Sequence, residues 1–521
     1  MPVLNWIGKD AVVNHDKEVP FRLLKKVKSA SVGENSQNLI IHGDNLEALK
    51  ALMPYYAGKI KCIYIDPPYN TGNEGWVYND KVNSPKIKKW LGKVVGSESE
   101  DLCRHDKWLC MMYPRLKLLK DLLSEDGVIF VSIDDNEQGQ LRMVMDELFH
   151  DENFLCNIVW QKKTSPQNDA KYFSDIHDFI LVYAKNKYHS GFRLNLLERT
   201  EKHNLRYSNP DNDPRGPWMR SDFSVKTYSK DYDYEITTPS GRKVRPPRGR
   251  CWMTSKENYE KLVSDNRIWF GKNKNSVPAL KRFLNEVKQG ITPVTIWFAN
   301  DVGTNNEARK ELKELFPEIQ LPFETPKPVR LIKQIIQLSS QKNDIILDSF
   351  AGFGTTGHAV LDLNKEDGGN RKFILVELED KVAKDITAER IKRVIKKYGY
   401  NDGFEFCELD KPLFDENGQI NEDCTFEQLA TYIYFTETNT NIDKNKISKE
   451  FIGEYNETEY YLLFNGKGKN VLDRNFLKKI NKNEKKKVIY ADKCLIDSRT
   501  LEKNKIVFKQ IPYQKEILRK P

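Results

Sequence analysis

The sequence predicts a doubly wound α/β fold, and three observations carry that expectation. Short apolar runs alternate with helix-spaced segments from residue 37 to about residue 185. The same alternation resumes at Lys327 after a long stretch without it. A glycine-rich turn, Asp348 to His358, joins one of the apolar runs to a helical segment. Alternation of this kind builds a largely parallel sheet covered by helices on both faces.

Each element follows from its local pattern. Leu39-Ile40-Ile41 reads as a strand, closed by His42-Gly43-Asp44-Asn45, and Leu46 to Leu52 reads as a helix. Cys62-Ile63-Tyr64-Ile65 is a second buried strand that stops at Asp66-Pro67-Pro68-Tyr69. From His105 to Leu123 the apolar residues Leu109, Met112, Leu116, Leu119 and Leu123 fall on one helical face. Gly127 to Ile133 is another strand, ended by Asp134-Asp135, and Ile158–Trp160 and Phe179–Tyr183 are two more. Periodicity then fades between 186 and 320, where aromatic, basic, proline and glycine residues mix. Val329 to Leu338 is an apolar-periodic helix, and Ile345–Leu347 and Phe373–Val376 are strands. The remainder is lysine-rich with a weaker α/β pattern. These shifts divide the chain into an N-terminal segment (1–36), two parts of one α/β domain (37–185 and 321–400), an inserted domain (186–320) and a C-terminal α/β appendage (401–521).

Composition narrows the function classes. At roughly 150 residues per domain, 521 residues imply about three units. No apolar run is long enough to cross a bilayer, and Met1 to Trp6 lacks the basic-then-apolar pattern of a signal peptide, so a cytoplasmic protein is expected. The eight cysteines include no Cys-x-x-Cys pair and no histidine cluster accompanies them, so neither structural zinc nor a disulfide framework is expected. A net charge of +9 admits a polyanionic partner, and a solvated lysine-rich surface gives the same balance.

The Asp66–Tyr69 stretch carries the most chemistry. Each proline fixes its own φ and lacks an N–H, and each pushes the preceding residue out of the helical region. A rigid, extended loop results at the end of a strand. It presents one carboxylate, a row of backbone carbonyls and one aromatic ring. That set suits a flat, neutral base with an exocyclic amine: the carboxylate and a carbonyl accept the amine's two hydrogens, and the ring stacks on the base. A proline-stiffened surface turn would show the same four residues.

Asp348 to Gly357 supplies a second motif. Its glycines allow tight turns and close backbone approach, and the helix starting near Thr355 aims free N–H groups at a ligand. Glu377 ends the next strand, twenty residues after Gly357, where an acidic side chain can accept from ribose hydroxyls. Gly352-x-Gly354-x-x-Gly357 also satisfies the dinucleotide fingerprint, which keeps a nicotinamide dehydrogenase as a rival. That rival leaves Asp66–Tyr69 unexplained and finds no His/Arg constellation for hydride transfer.

With Asp-Pro-Pro-Tyr ahead of Asp-x-Phe-x-Gly-x-Gly and an insert between them, the chain resembles the β group of DNA amino-methyltransferases, in particular the Mod subunits of type III restriction–modification systems. His42 to Leu46, Lys327-Pro328, Phe350–Gly352 through Gly357–Ala359, Trp76 to Asp80 and Trp269 to Lys272 extend the likeness over roughly residues 1–400. Phe353 departs from it, since the family usually carries Ser there. The resemblance implies a Rossmann-like methyltransferase sheet with an inserted target-recognition domain. It implies methyl transfer from S-adenosylmethionine to adenine N6 of a flipped base in duplex DNA. N4-cytosine methylation on the same scaffold and a mainly DNA-recognising subunit are the alternatives. It also implies a homodimer and a nuclease–helicase partner.

Residue by residue, the resemblance gives Asp66, Pro67, Pro68 and Tyr69 the catalytic role. Asp44, Lys327, Asp348, Phe350, Gly352, Gly354, Thr355, Thr356 and Glu377 would hold the cofactor, with Lys327 on its methionine carboxylate and Asp348 on its amino group. The charged members have plainer readings: Asp44 and Glu377 as helix caps, Asp348 as a turn former, Lys327 as a solvated lysine. Trp160 reads equally as a pocket wall or a core residue, and His177 and His358 read as structural. Arg242, Lys243, Arg245, Arg248 and Arg250 are candidate phosphate contacts, which would position DNA without reading its sequence.

Overall fold

Ten strands form the main sheet. In chain order they are β1 (Arg22–Lys26), β2 (Leu39–His42), β3 (Ile60–Ile65), β4 (Leu123–Ile133), β5 (Phe154–Gln161), β6 (His177–Ala184), β7 (Ile296–Trp297), β8 (Ile345–Asp348), β9 (Lys372–Glu377) and β10 (Glu405–Pro412). The computed structural model describes residues 4–33, 36–71, 92, 103–168, 170–199, 201–318, 326–415, 419–443, 447–466, 468–480 and 483–512. The Trp76–Asp80 segment of the resemblance lies outside them. Contacts divide the chain into two units, Met1–Asn195 with Val294–Pro521, and Leu196–Pro293.

The sheet runs β1-β10-β2-β9-β8-β3-β4-β6-β5-β7. From β10 through β4 neighbouring strands are parallel, while β6 is antiparallel to both β4 and β5. Helices α1 (Asn45–Tyr56), α2 (Arg104–Leu122), α3 (Gln138–Phe149), α4 (Val329–Ser339), α5 (Thr355–Asp367) and α6 (Glu389–Tyr398) lie between successive strands in the sequence. The central strands are buried along nearly their whole length, as parallel strands covered on both faces must be. Ile41, Ile63, Ile65, Ile129, Val131, Leu347 and Ile374 join Leu49, Leu116 and Leu119 of the helices in one core. The expected doubly wound architecture is therefore present.

The topology places a site. From β3 the chain moves to β4 on one side, and from β8 it moves to β9 on the other, so the winding reverses between the adjacent strands β8 and β3. Ligands of open α/β sheets bind beyond the carboxyl ends of the strands at such a reversal. Asp66 follows the end of β3, Asp348 ends β8 and Glu377 ends β9.

Several boundaries differ from those expected, and the compact insert begins at Leu196 rather than at 186. Residues from Val294 on return to the main sheet: β7 pairs parallel to β5, Trp297 opposite Trp160, and a helix Asn305–Leu315 buries Ala308, Leu312 and Leu315. A two-residue strand has no periodicity to read, so the insert looked longer than its compact part. The N-terminal segment contributes β1, antiparallel to β10, and β10 itself belongs to the main sheet rather than to the appendage.

Beyond β10, helix α7 (Phe426–Thr438) packs with strands β11 (Phe451–Tyr455), β12 (Thr458–Leu462), β13 (Lys486–Ala491) and β14 (Ile506–Gln510), which form a four-stranded sheet. The Leu196–Pro293 unit has its own core of Phe223, Ile236, Val244, Trp252, Tyr259, Ile268 and Phe270. Its three-stranded antiparallel sheet joins Ile268–Trp269, Ala279–Phe283 and Trp218–Asp222, and a short hairpin pairs Ile236–Thr237 with Lys243–Val244.

Candidate active site

The apolar run of β3 ends at the Asp66–Tyr69 loop, which is held from behind by buried side chains. The indole of Trp108 on α2 donates to the Pro68 carbonyl at 2.7 Å. Asn70 adopts the left-handed conformation (φ 58°) and is buried. Its amide donates to the Arg104 carbonyl at 3.1 Å and to Glu137 Oε1, an oxygen that also lies 2.7 Å from His105 Nδ1. Glu137 is fully buried, and burial raises its pKa against the pull of Asn70 and His105.

On the front of the loop, Asp66 Oδ2 accepts from Lys327 Nζ at 2.5 Å. Its other oxygen, Oδ1, is buried and has no hydrogen-bond partner among the described residues, and the Tyr69 hydroxyl is in the same condition. Burial, and then the Asp66 charge, push the Tyr69 phenol well above its ordinary pKa, so it stays protonated. Lys327 Nζ stands 5.1 Å from the Tyr69 ring centroid and 6.0 Å from that of Trp160. Trp160 is fully buried and donates to the Gly303 carbonyl at 3.1 Å. Asp178, opposite Trp160 on β6, is buried and bonded to Lys162 at 2.7 Å. Burial lifts its pKa to about 6, with Lys162 and Lys327 acting against the rise and Asp66 adding to it.

The glycine-rich loop is organised by its own carboxylates. Asp348 accepts from Thr356 Oγ1 at 2.6 Å and from the Phe350 N–H at 3.0 Å. Its burial nevertheless raises its pKa to about 7. Glu377 accepts from the Gly352 N–H at 2.9 Å and the Glu379 N–H at 3.0 Å. Gly354 precedes α5 with φ 72°, and a Cβ there would lie 3.1 Å from Thr387 Cγ2. At Gly357 a Cβ would meet Ile391 Cδ1 at 2.9 Å and Leu375 Cδ1 at 3.0 Å, so a larger residue there would have to displace those side-chain ends. Thr355 Oγ1 accepts from buried Arg390 at 2.9 Å, and Phe353 is buried. Phe350 is half-buried against the main core. Ser349 Oγ is buried with no hydrogen-bond partner among the described residues.

Asp44 caps α1: its Oδ1 accepts from the Leu46 N–H at 2.8 Å, and buried Arg115 approaches its Oδ2 at 3.3 Å. His42, Asp380 and Glu408 gather ligand atoms within 4.8 Å, but Lys384 already lies 2.7 Å from Asp380 and 3.0 Å from Glu408, supplying the positive charge there. His358 is held neutral, its pKa lowered to about 2 by burial and then by Arg390, Lys333 and Lys397.

Within the Leu196–Pro293 unit, Arg242, Lys243, Arg245 and Arg248 are exposed. Lys243 and Arg245 share Glu235, at 3.0 and 3.9 Å, and Arg242 donates to the Asn275 carbonyl at 3.2 Å. Arg250 differs: it is half-buried and donates inward to the Ser224 carbonyl at 2.7 Å.

The fold thus gathers Asp66, Tyr69 and Lys327 with Trp160, and separately Asp348, Thr356, Gly352 and Glu377, at neighbouring strand ends. Sequence reasoning missed Trp108, Asn70, Glu137, His105, Arg115 and Asp178 as supports of these loops. Trp108 shares the apolar helical face of Leu109 and Met112, so nothing local separated it from core. Glu137 sits in a polar run, Asp134 to Glu137, which gives no hint of burial.

Residues 60–390 match the DNA methylase family. The Mod subunit of the type III restriction–modification enzyme StyLTI of Salmonella typhimurium is 37% identical over 413 residues, covering 76% of this chain and 60% of that protein. The EcoP15I Mod subunit of Escherichia coli is 34% identical over 447 residues, covering 77% of this chain and 67% of its own length. The EcoPI Mod subunit of Escherichia phage P1 is 34% identical over 453 residues, with 76% and 68% covered. The chain therefore spans 60 to 68% of these relatives' lengths. With catalytic-type and glycine-rich loops at adjacent strand ends inside the matched span, the chain belongs to the DNA methylase family.

Proposed function

We propose that this protein methylates adenine N6 at specific sites in duplex DNA, with S-adenosylmethionine as methyl donor, as the modification component of a restriction–modification system in a prokaryotic cytoplasm. The observation that carries the reading is the Asp66 carboxylate, one oxygen of which is buried with no hydrogen-bond partner among the described residues. A buried acceptor of that kind is costly unless a ligand's donor meets it.

A duplex buries the adenine amine, so the base flips out at a cost of a few kcal/mol. Tyr69 stacks on it. Asp66 and the Pro67 carbonyl accept its two N–H hydrogens, which favours a localised lone pair on N6 and stabilises the positive charge that builds there. The Pro68 carbonyl, bonded to Trp108, is committed to the loop's support and leaves the recognition role to Pro67.

The glycine loop fits the cofactor. Gly354 admits the tight turn, the N-terminus of α5 faces the strand ends, and Asp348 and Glu377 supply carboxylates beside them. Asp348 would hold the cofactor's amino group, Lys327 its carboxylate and Glu377 its ribose, with Phe350, Gly352, Thr355 and Thr356 lining the turn and Asp44 at its edge. Bound there, the cofactor supplies an electrophilic methyl group, and holding N6 in line with it contributes by proximity. Arg242, Lys243, Arg245 and Arg248 are the proposed phosphate contacts. The whole assembly is proposed to be a dimer that serves a restriction partner.

Nucleoside mass analysis of plasmid DNA from a methylation-free host tests the reading. N6-methyladenine with the native chain and none with Asp66→Ala establishes it. N4-methylcytosine instead assigns the sister specificity, and no modified base overturns both.

A further inference from the structure

The Lys327 ammonium occupies the place that the flipped base needs. It lies 2.5 Å from Asp66 Oδ2, 5.1 Å from the Tyr69 ring centroid and 6.0 Å from the Trp160 ring centroid, and the residue is only 8% exposed. These are the partners that an adenine amine and its ring would claim: the carboxylate for an N–H donor and an aromatic face for stacking. An ammonium over a ring and against a carboxylate satisfies the same two groups through cation–π attraction and a charge-assisted hydrogen bond. Asp66 Oδ1 is left for the base's N–H, but an ammonium over the Tyr69 ring and a base stacked on that ring cannot share the space.

Pro328 follows Lys327 and is buried ahead of α4, whose Val329 N–H is bonded to Glu311 at 3.3 Å. The backbone there is fixed, so the ammonium leaves only by swinging its four-carbon stem. Breaking a buried ion pair is unfavourable unless another anion receives the charge. The methionine carboxylate of the cofactor is such an anion.

We propose that Lys327 stands in for the target base in the cofactor-free enzyme, and that cofactor binding draws it off Asp66, so that cofactor and flipped base bind with positive coupling. The proposal rests on the function assigned above. Lys327 is then a positioning residue: it acts on the base through Asp66. Coupling is reciprocal, so the base also tightens cofactor binding by the same factor.

The test uses the protein and a duplex with 2-aminopurine next to the target adenine of a sequence that the native chain methylates in plasmid DNA, so that the adenine keeps its N6 amine and its departure unstacks the probe. Sinefungin serves as the unreactive cofactor analogue, at concentrations that calorimetry shows to be saturating for each variant. In the native protein, sinefungin should strengthen capture of the flipped base, read as 2-aminopurine fluorescence, by about tenfold or more. In Lys327→Met, capture without sinefungin should already approach the native level with it, and the coupling should fall to about one. Lys327→Gln, which keeps a neutral donor, should lie between them. Native-like coupling in both variants, or no coupling in the native protein, overturns the proposal. A failure of the function itself shows separately, as plasmid DNA without N6-methyladenine.

Discussion

The strand-end site and the Leu196–Pro293 unit use charge in opposite ways. At the strand ends, acidic groups are buried and serve backbone donors: Glu377 holds the Gly352 N–H and Asp348 the Phe350 N–H, while Asp66 keeps one oxygen without a partner among the described residues. In the inserted unit, buried charges are neutralised internally. Lys281 pairs with Asp211 and Asp213, and Arg215 reaches Asp213 at 2.8 Å. What remains on its hairpin surface is cationic, with Lys243 and Arg245 sharing the single carboxylate of Glu235. The contrast teaches that one region keeps its charges in a desolvated setting organised by backbone donors, and that the other leaves its hairpin cations facing water.

Four substitution experiments sharpen or break that contrast. The largest effect is expected for Asp66→Asn, which should lower single-turnover methylation by about a thousandfold while the cofactor still binds, no weaker than to the native protein, since Lys327 no longer has to leave a carboxylate. Thermal melting should accompany it, since the change leaves the Lys327 charge buried without its partner. Tyr69→Ala should weaken capture of the flipped base by about 10- to 100-fold, as expected when one stacking ring is removed. Tyr69→Phe should stay near the native level, because the hydroxyl has no hydrogen-bond partner among the described residues; a large drop there would show that the hydroxyl, not the ring, matters.

Asp348 yields a pH signature. Its pKa is raised to about 7 by burial, so its folded form holds a proton that the unfolded chain releases near the usual carboxylate value. Its contribution to stability is therefore present in acid and is lost as pH rises through about 7. Cofactor affinity should run the other way, falling by up to about tenfold per pH unit below that value as the carboxyl ceases to be an anion. Titrations with Asp348→Asn should be flat over the same range. If the variant shows the native slope, Asp348 is a turn former only.

The smallest effects belong to the hairpin. Replacing Arg242, Lys243, Arg245 or Arg248 by Ala should weaken DNA binding uniformly across sequences and lower the salt slope by about one for each cation removed from a phosphate. Turnover at saturating DNA should not change. Arg250→Ala should leave the slope alone and cost about 1 kcal/mol of stability, because its guanidinium is bonded inward to Ser224.

The two motifs were legible because proline and glycine act locally. Pro67 and Pro68 end β3 wherever it lies, and Gly354 needs its left-handed turn whatever surrounds it. The central strands were equally legible, since strands buried on both faces are continuous apolar runs. The supports were not. Trp108 reads as core, Glu137 as solvated, and the two residues of β7 as loop, because hydrogen bonding and burial across distant segments leave no periodic mark. Asp44 and Lys327 show the same limit: the sequence left each with two readings, and the structure puts one on a helix N-terminus and the other on Asp66.

By itself, then, the chain determined its α/β class, the ends of its catalytic-type and glycine-rich loops, and the residue types they offer, since these depend on dihedral limits and apolar spacing within a few neighbours. Tertiary structure alone decided that β8 lies beside β3, which brings loops nearly three hundred residues apart to one edge of the sheet. It alone set which acceptors stay unpartnered and which lysine meets Asp66, because burial and charge pairing are properties of the packed whole.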